Sequence, residues 1–161
     1  MRILIPIDGS SLSLRAVDHV ARVVHECEIV LFHVTGIPPE LLEHRGGDTP
    51  AEERELEHEI GEGSRNFREQ IRPIIERDVF GPAKELLRYR ATDGKLNVQT
   101  LLATEPSSDA ASDIIAEAEQ GGYDAVVVGR HIHSGIMSVV LGGTASKLVH
   151  HIKTTAIWLV P

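Results

Sequence analysis

The sequence predicts a single α/β domain: a doubly wound, five-stranded parallel sheet between two layers of helices. Short apolar runs alternate with helical segments along most of the chain, and this alternation is typical of parallel sheets covered on both faces. Aromatic residues are only 4% of the 161 residues, whereas hydrophobic residues are 42%, so the core must be aliphatic, as in such sheets. This length suits one compact domain, and we expect it to span residues 1–161.

The first elements follow directly from the N-terminus. Arg2–Ile7 (RILIPI) is a short apolar run closed by Asp8-Gly9-Ser10, which indicates a buried strand and a turn. From Ser10 to Glu26 the apolar residues recur on one helical face, and Ser10 or Ser11 can cap that helix. Glu28–Val34 is the second predicted strand.

Residues 37–80 interrupt this alternation and are predicted to be an acidic, helical insertion. A glutamate-rich stretch begins at Ala51, and we expect a helix there that is bent or ended near Pro73. Its glutamates are typical of a solvated face. A second break is predicted at Val79–Pro82, because glycine and proline punctuate loops.

The remaining elements restore the alternation. Pro82 can begin a helix that Gly94 ends. After it we predict strands at Asn97–Ala103, Asp124–Gly129 and Thr154–Pro161, with helices at Asp109–Gln120 and Gly142–Ile152.

Composition argues against several classes of function. The chain has 16 basic and 24 acidic residues, a net charge of -8, and therefore lacks the basic face expected of a nucleic-acid-binding protein. No apolar run approaches the roughly 20 residues of a membrane span. The N-terminus lacks the longer apolar segment and the cleavage site that are typical of a signal peptide. A single cysteine, Cys27, allows no internal disulfide. We expect a cytoplasmic protein that binds neither nucleic acid nor membranes.

The candidate site lies where the first and fourth strands end, because doubly wound sheets bind ligands at the carboxyl ends of their strands. Asp8 follows the first strand, where its carboxylate can accept from a ligand or cap the next helix. Gly129 ends the fourth strand, and because it has no side chain it permits close approach of the backbone to a ligand. Gly142 and Gly143 precede the last helix, and Thr144 follows them, so its N-terminal N–H groups can face an anion.

Other motifs are absent or weak. The chain contains neither a P-loop nor a GxGxxG fingerprint, and no nucleophile elbow or catalytic carboxylate pair stands out. We expect no enzyme activity, with slow hydrolysis of a bound ligand left open. The pairs His131/His133 and His150/His151 are insufficient as a zinc signature. His33 is expected to satisfy a core hydrogen bond, and Cys27 to be a buried apolar residue.

The chain resembles the universal stress proteins in a series of segments that covers most of its length outside the insertion. These segments are RILIPIDGS, VLFHV, the Glu105-Pro106 turn, DAVVVG, LGGTASKLVHH and TAIWLVP. The resemblance implies a sheet of order 3-2-1-4-5, like that of the adenine-nucleotide alpha-hydrolases. It also implies a homodimer through the last strand, and the apolar edge strand with Trp158 supports that expectation.

The ATP-binding branch of that family has the motif Gly-x-x-Gly, nine residues, then Gly and Ser or Thr. Gly129 and Gly142 match its first and third glycines, whereas Ile132 and Gly143 replace its second glycine and its hydroxyl. Arg130, His131, His133 and Lys147 could partly offset these losses with positive charge. The resemblance implies ATP or AMP as a ligand, with no metal beyond accompanying Mg²⁺. The site residues predicted are Pro6, Ile7, Asp8, Val34, Val128, Gly129, Gly142, Gly143, Thr144 and Ala145.

Two functions remain open from the sequence. In the first, the chain is a dimeric stress-response regulatory module with an adenine nucleotide as a conformational ligand. In the second, the pocket binds no nucleotide, and the protein acts through its dimer strand and a protein partner at the acidic insertion.

Overall fold

A computed structural model of the chain describes residues 1–35, 66–67, 69–90, 95–103, 109–130 and 142–161. Five strands form one sheet: Arg2–Pro6 (β1), Glu26–His33 (β2), Lys95–Leu102 (β3), Ala125–Gly129 (β4) and Ala156–Val160 (β5). The α-helices include Ser11–Val23 (α1), Gly81–Arg90 (α2), Ala110–Gln120 (α3) and Gly143–His151 (α4), and residues 69–75 are also helical. Most of the predicted acidic insertion at 37–80 lies outside the described residues, as do Gly94, the Glu105-Pro106 turn and Ile132.

The sheet has the predicted topology. All strand pairs are parallel, and the order is β3-β2-β1-β4-β5. Strand β1 lies at the centre, where Ile3 pairs with Ile29 of β2 on one side and with Ala125 of β4 on the other. The strand order therefore reverses between β1 and β4, and their carboxyl ends are neighbours. The predicted fold class and strand order are confirmed.

Two apolar layers hold the helices against the sheet, as the period-2 alternation of strand side chains requires. Ile3 and Ile5 of β1 face the layer that contains α1 and α2. Leu4, between them, faces the layer that contains α3 and α4. Both layers consist mainly of Ile, Val, Leu and Ala side chains, as the low aromatic content predicts.

Helix α1 begins where the sequence predicts but ends earlier. Ser10 is its N-cap, because the Ser10 side chain accepts a hydrogen bond from the Ser13 N–H. The helix ends at Val23, and Val24 has extended dihedral angles of φ -118° and ψ 126°. Strand β2 then begins at Glu26, so the predicted helix limit at Glu26 and strand start at Glu28 are both too late. Val24 and Cys27 are buried, and an extended chain places both in the core.

The predicted break at Val79–Pro82 is not a break. Residues 69–75 are helical and pass through Pro73, Glu76–Phe80 forms a π-helical turn, and α2 follows at Gly81. The Gly81 N–H donates to the Glu76 carbonyl, five residues back. A wide turn of this kind accommodates Pro82, which has no N–H and would crowd the carbonyl four residues earlier in a regular helix.

Candidate functional site

A cavity of about 310 Å³ opens at the carboxyl ends of β1 and β4. It lies at the point where strand order reverses, the position at which open α/β sheets bind ligands. All ten predicted site residues line it: Pro6, Ile7, Asp8, Val34, Val128, Gly129, Gly142, Gly143, Thr144 and Ala145. The fold thus brings together residues from both ends of the sequence.

The cavity is also lined by seven residues that sequence reasoning did not select: Ser10, Leu12, Ser13, Phe32, His33, Ala110 and Ile114. Ser10 and Ser13 follow Asp8 closely in the sequence, at the start of α1, and this proximity was the available signal for them. Ala110 begins α3, which nothing in the local sequence connects to Asp8. One wall of the cavity is apolar, because Phe32, Val34 and Ile114 belong to or pack against the core layer beneath α3 and α4.

Asp8 braces the turn before α1 but does not cap that helix, one of the two roles that the sequence left open. Its Oδ1 accepts hydrogen bonds from the Ser10 N–H at 2.9 Å and from the Ser13 hydroxyl at 2.7 Å. These bonds brace the turn before α1, although the N-cap itself is Ser10. Its carboxylate also lines the cavity. No residue in the described part of the chain donates to Oδ2, which therefore can accept from a ligand.

The charge state of Asp8 is set by opposing effects. Partial desolvation raises the pKa of the Asp8 carboxyl, but hydrogen bonds from Ser10 and Ser13 outweigh that effect and lower the pKa below its usual value. The group is therefore a carboxylate at neutral pH. It presents an acceptor, not a donor, to anything in the cavity.

Gly129 is required by the packing of the protein itself. A Cβ atom at this position would lie 2.4 Å from the Leu12 carbonyl oxygen and 2.7 Å from Leu12 Cγ. The sequence predicts a close approach of this backbone to a ligand, whereas the close approach in the structure is to the first turn of α1. The glycine still lines the cavity, because β4 and α1 converge at its rim.

The N-terminus of α4 presents backbone N–H groups to the cavity. Gly142 occupies the N-cap position and has no side chain to cap the helix, while its carbonyl accepts from the Ser146 N–H at 2.9 Å. Gly142, Gly143, Thr144 and Ala145 all line the cavity. Helix N-termini favour anions through these N–H groups and the helix dipole.

Lys147 does not present a free positive charge beside the N-terminus of α4. Its Nζ lies 2.9 Å from Asp109 Oδ2 and joins α4 to the N-cap residue of α3. The hydrogen bond from Lys147, together with one from Ser112, lowers the pKa of Asp109. The expected compensation by Lys147 is therefore reduced by its ion pair. His131, His133 and the replaced glycine position Ile132 lie outside the described residues.

The other singled-out groups have local partners. His33 Nδ1 lies 2.7 Å from the Ile7 carbonyl, which confirms the expected hydrogen bond. His150 and His151 each hydrogen-bond a backbone carbonyl one turn earlier in α4. Cys27 is buried, and desolvation raises the pKa of its thiol. Among the residues that the structure describes, no cluster of three potential metal ligands occurs, and none of the helices there could cross a membrane.

Comparison with solved structures places the chain among proteins of one fold. It is similar to the hypothetical protein MJ0577, whose biochemical function was assigned from its structure (19% identity, TM-score 0.57, 99% of this chain and 94% of that one). It is also similar to the universal stress protein UspA from Lactobacillus plantarum (16% identity, TM-score 0.52, 100% of this chain and 97% of that one). A third similar structure is a universal stress protein in complex with cAMP, with 15% sequence identity and a TM-score of 0.58. The match covers 99% of this chain and 95% of that one.

Sequence comparison identifies the family. No curated protein sequence matches the chain, whereas the sequence profile of the universal stress protein family matches residues 1–160. The matched range includes residues 37–80, where the sequence predicts an acidic insertion. The chain belongs to the universal stress protein family.

Proposed function

We propose that this chain is a regulatory module that binds an adenine nucleotide, ATP or AMP, in the cavity between β1 and β4. The observation that carries the proposal is the convergence of all ten predicted site residues on that one cavity. Its volume of about 310 Å³ falls at the lower end of the range usual for small-ligand sites.

The chemistry of the cavity suits the three parts of a nucleotide. The apolar wall of Val34, Phe32 and Ile114 suits a base. The Asp8 carboxylate can accept from an amino or sugar hydroxyl group. The N-terminus of α4 offers N–H donors to phosphate. The similar universal stress protein in complex with cAMP adds support, because cAMP is an adenine nucleotide.

We propose a binding role and not a catalytic one. The hydroxyl groups of Ser10 and Ser13 are engaged with each other and with Asp8 or the Ser13 N–H, so these side chains brace the start of α1. A bound nucleotide would contact α1, α3 and α4 together, since all three begin at the cavity. Occupancy would therefore change the relative stability of those helices, which is how a ligand acts on conformation.

Direct titration tests the proposal. Purified protein is denatured to release any bound nucleotide, and the refolded or ligand-free protein is titrated calorimetrically with ATP, AMP, cAMP and GTP. We expect adenine nucleotides to bind, and Asp8→Asn to weaken them by roughly tenfold, the cost of one hydrogen bond to a charged group. Glu85→Gln on the exposed face of α2 removes a negative charge away from the cavity and should leave affinity unchanged.

The opposite result would favour the second function. Repeated preparations without nucleotide, together with no heat of binding at millimolar ATP or AMP, contradict a nucleotide site. The role of the module would then be sought in protein contacts of the dimer strand and of the acidic insertion. Deleting residues 37–65 and comparing the proteins captured with each form tests that alternative.

A further inference from the structure

Ser13 differs from the other polar residues of the described ranges in its burial. Its relative exposure is 8%, and no other charged or non-aromatic polar residue in those ranges is buried. It lines the cavity from the first turn of α1. A buried hydroxyl needs hydrogen-bond partners, and the identity of these partners indicates what the residue does.

The principal partner of the Ser13 hydroxyl is Asp8. Ser13 Oγ lies 2.7 Å from Asp8 Oδ1 and 3.0 Å from the Ser10 carbonyl oxygen. One hydroxyl hydrogen serves mainly one acceptor, and the shorter bond to the charged carboxylate is the stronger. The Asp8 N–H in turn points to Ser13 Oγ at 3.4 Å, which is a weak contact. Ser13 therefore donates to the carboxylate.

Capping does not account for this hydroxyl. The N-cap bond of α1 runs from the Ser13 backbone N–H to the Ser10 side chain, and it would form with any side chain at residue 13. What the hydroxyl adds is a second donor on Asp8 Oδ1, beside the Ser10 N–H at 2.9 Å. Two donors on one oxygen fix the rotation of the carboxylate and leave Oδ2 for another partner.

We propose that Ser13 is a positioning residue for the ligand: it holds Asp8 Oδ1 so that Oδ2 is presented to an amino or hydroxyl donor in the cavity. This inference rests on the proposed function, because it assumes that a nucleotide occupies the cavity. It assigns to Ser13 no contact with the ligand. Its effect on affinity is exerted through Asp8.

The inference has a consequence for pH dependence. Hydrogen bonds from Ser10 and Ser13 outweigh desolvation and lower the pKa of Asp8, so loss of the Ser13 hydroxyl raises that pKa. Affinity that needs the ionised carboxylate is present above the Asp8 pKa and lost as pH falls through it. Among the described residues that line the cavity, the one other ionisable side chain is His33, whose Nδ1 lies 2.7 Å from the Ile7 carbonyl oxygen.

The test combines ligand binding with a titration that needs no ligand. AMP affinity is measured by calorimetry from neutral to acidic pH, and the Asp8 carboxyl is titrated by carbon-detected NMR in ligand-free protein. For Ser13→Ala we expect AMP affinity about tenfold weaker at neutral pH and an Asp8 titration moved to higher pH. Ser13→Thr keeps the hydroxyl, so its AMP affinity and its Asp8 titration should be like those of wild type. Ser11→Ala, one hydroxyl removed from the exposed side of the same helix, should change neither.

Three results would overturn the inference. In Ser13→Ala, the first is an Asp8 titration like that of wild type, and the second is an AMP affinity like that of wild type. The third is a loss of AMP affinity that is equal at every pH while Asp8 titrates as in wild type. If Ser13→Ala does not fold, Ser13→Cys replaces it, because a thiol fits the site but donates weakly. A wild-type protein that binds no AMP contradicts the proposed function instead, and the ligand-free titration still decides whether Ser13 fixes the Asp8 carboxylate.

Discussion

Glycines at the cavity rim serve different purposes, and their surroundings separate them. Gly129 has the Leu12 backbone where a side chain would lie, whereas a Cβ on Gly143 would meet no atom of the described residues within 4 Å. In the sequence, Gly129 matches the first glycine of the family motif and Gly143 stands where that motif has Ser or Thr, but neither fact shows which position has room for a side chain. That distinction depends on the approach of α1 to the end of β4, which only the folded chain shows.

Alanine substitution should separate the two glycines. We expect Gly129→Ala to lower the free energy of unfolding by about 1–3 kcal/mol, because α1 or β4 must move to relieve the contact with Leu12. Gly143→Ala should stay within about 0.5 kcal/mol of wild type. Urea denaturation followed by circular dichroism measures both. Equal stability of the two variants would contradict the view that Gly129 is required for packing.

Among the secondary-structure elements, the strands and regular helices were predictable, and the π-helical turn was not. Four strands contain a short apolar run, β3 alternates apolar and polar residues over most of its length, and capping at Ser10 follows from residue type. The turn at Glu76–Phe80 depends on how the chain enters α2 at Pro82. Local rules interpret Gly81-Pro82 as a break, but packing of Phe80 into the core keeps the chain helical through this point.

The junction of α3 with β4 contains a group that should make stability depend on alkaline pH. Tyr123 is buried between them, and its hydroxyl donates to Glu117 Oε1 at 2.6 Å. Desolvation, and then the hydrogen bond to Glu117, raise the pKa of Tyr123 well above its ordinary value of 10.0. The folded chain therefore keeps a proton that the unfolded chain loses.

Stability should decline at high pH because of this tyrosine. Its contribution is fully present below the unfolded pKa of about 10 and is lost as pH rises from there toward the higher folded pKa. In Tyr89→Phe, which leaves Tyr123 as the single tyrosine, ultraviolet absorbance should show no tyrosinate until the protein unfolds. The further variant Tyr123→Phe should remove that part of the alkaline decline. Tyrosinate that forms in the folded protein near pH 10 would contradict the assignment.

At the scale of the whole molecule, the resemblance to the universal stress proteins predicted the strand order that brings the ends of β1 and β4 together. The strand–helix alternation predicted only a parallel sheet with helices on both faces, and the observed order places Asp8, Gly129 and Gly142 at one cavity. Recruitment of Ala110 and Ile114 from α3 was not foreseeable from local patterns, because it depends on how that helix packs across the sheet. The ion pair of Lys147 with Asp109 depends on the same packing.

Strand β5 ends the sheet at an edge that is suited to pairing with a second chain. The Ala156 N–H donates to Asp124, and the Val160 carbonyl accepts from Arg130, so these residues direct their backbone groups toward β4. Backbone direction alternates along a strand, which turns the groups of Ile157 and Leu159 away from β4. An apolar edge with unpaired backbone groups favours association, and we predict a homodimer through this strand.

A proline at position 157 tests this edge without removing a bond to β4. We expect wild type to have twice the 17.6 kDa mass of one chain by light scattering at micromolar concentration. Ile157→Pro should be monomeric, because proline has no N–H to pair with a second chain. Ile157→Ala loses the same apolar packing but keeps the N–H, and should remain dimeric. A monomeric wild type, or a dimeric Ile157→Pro that retains native circular dichroism, would show that chains do not associate through the backbone of β5.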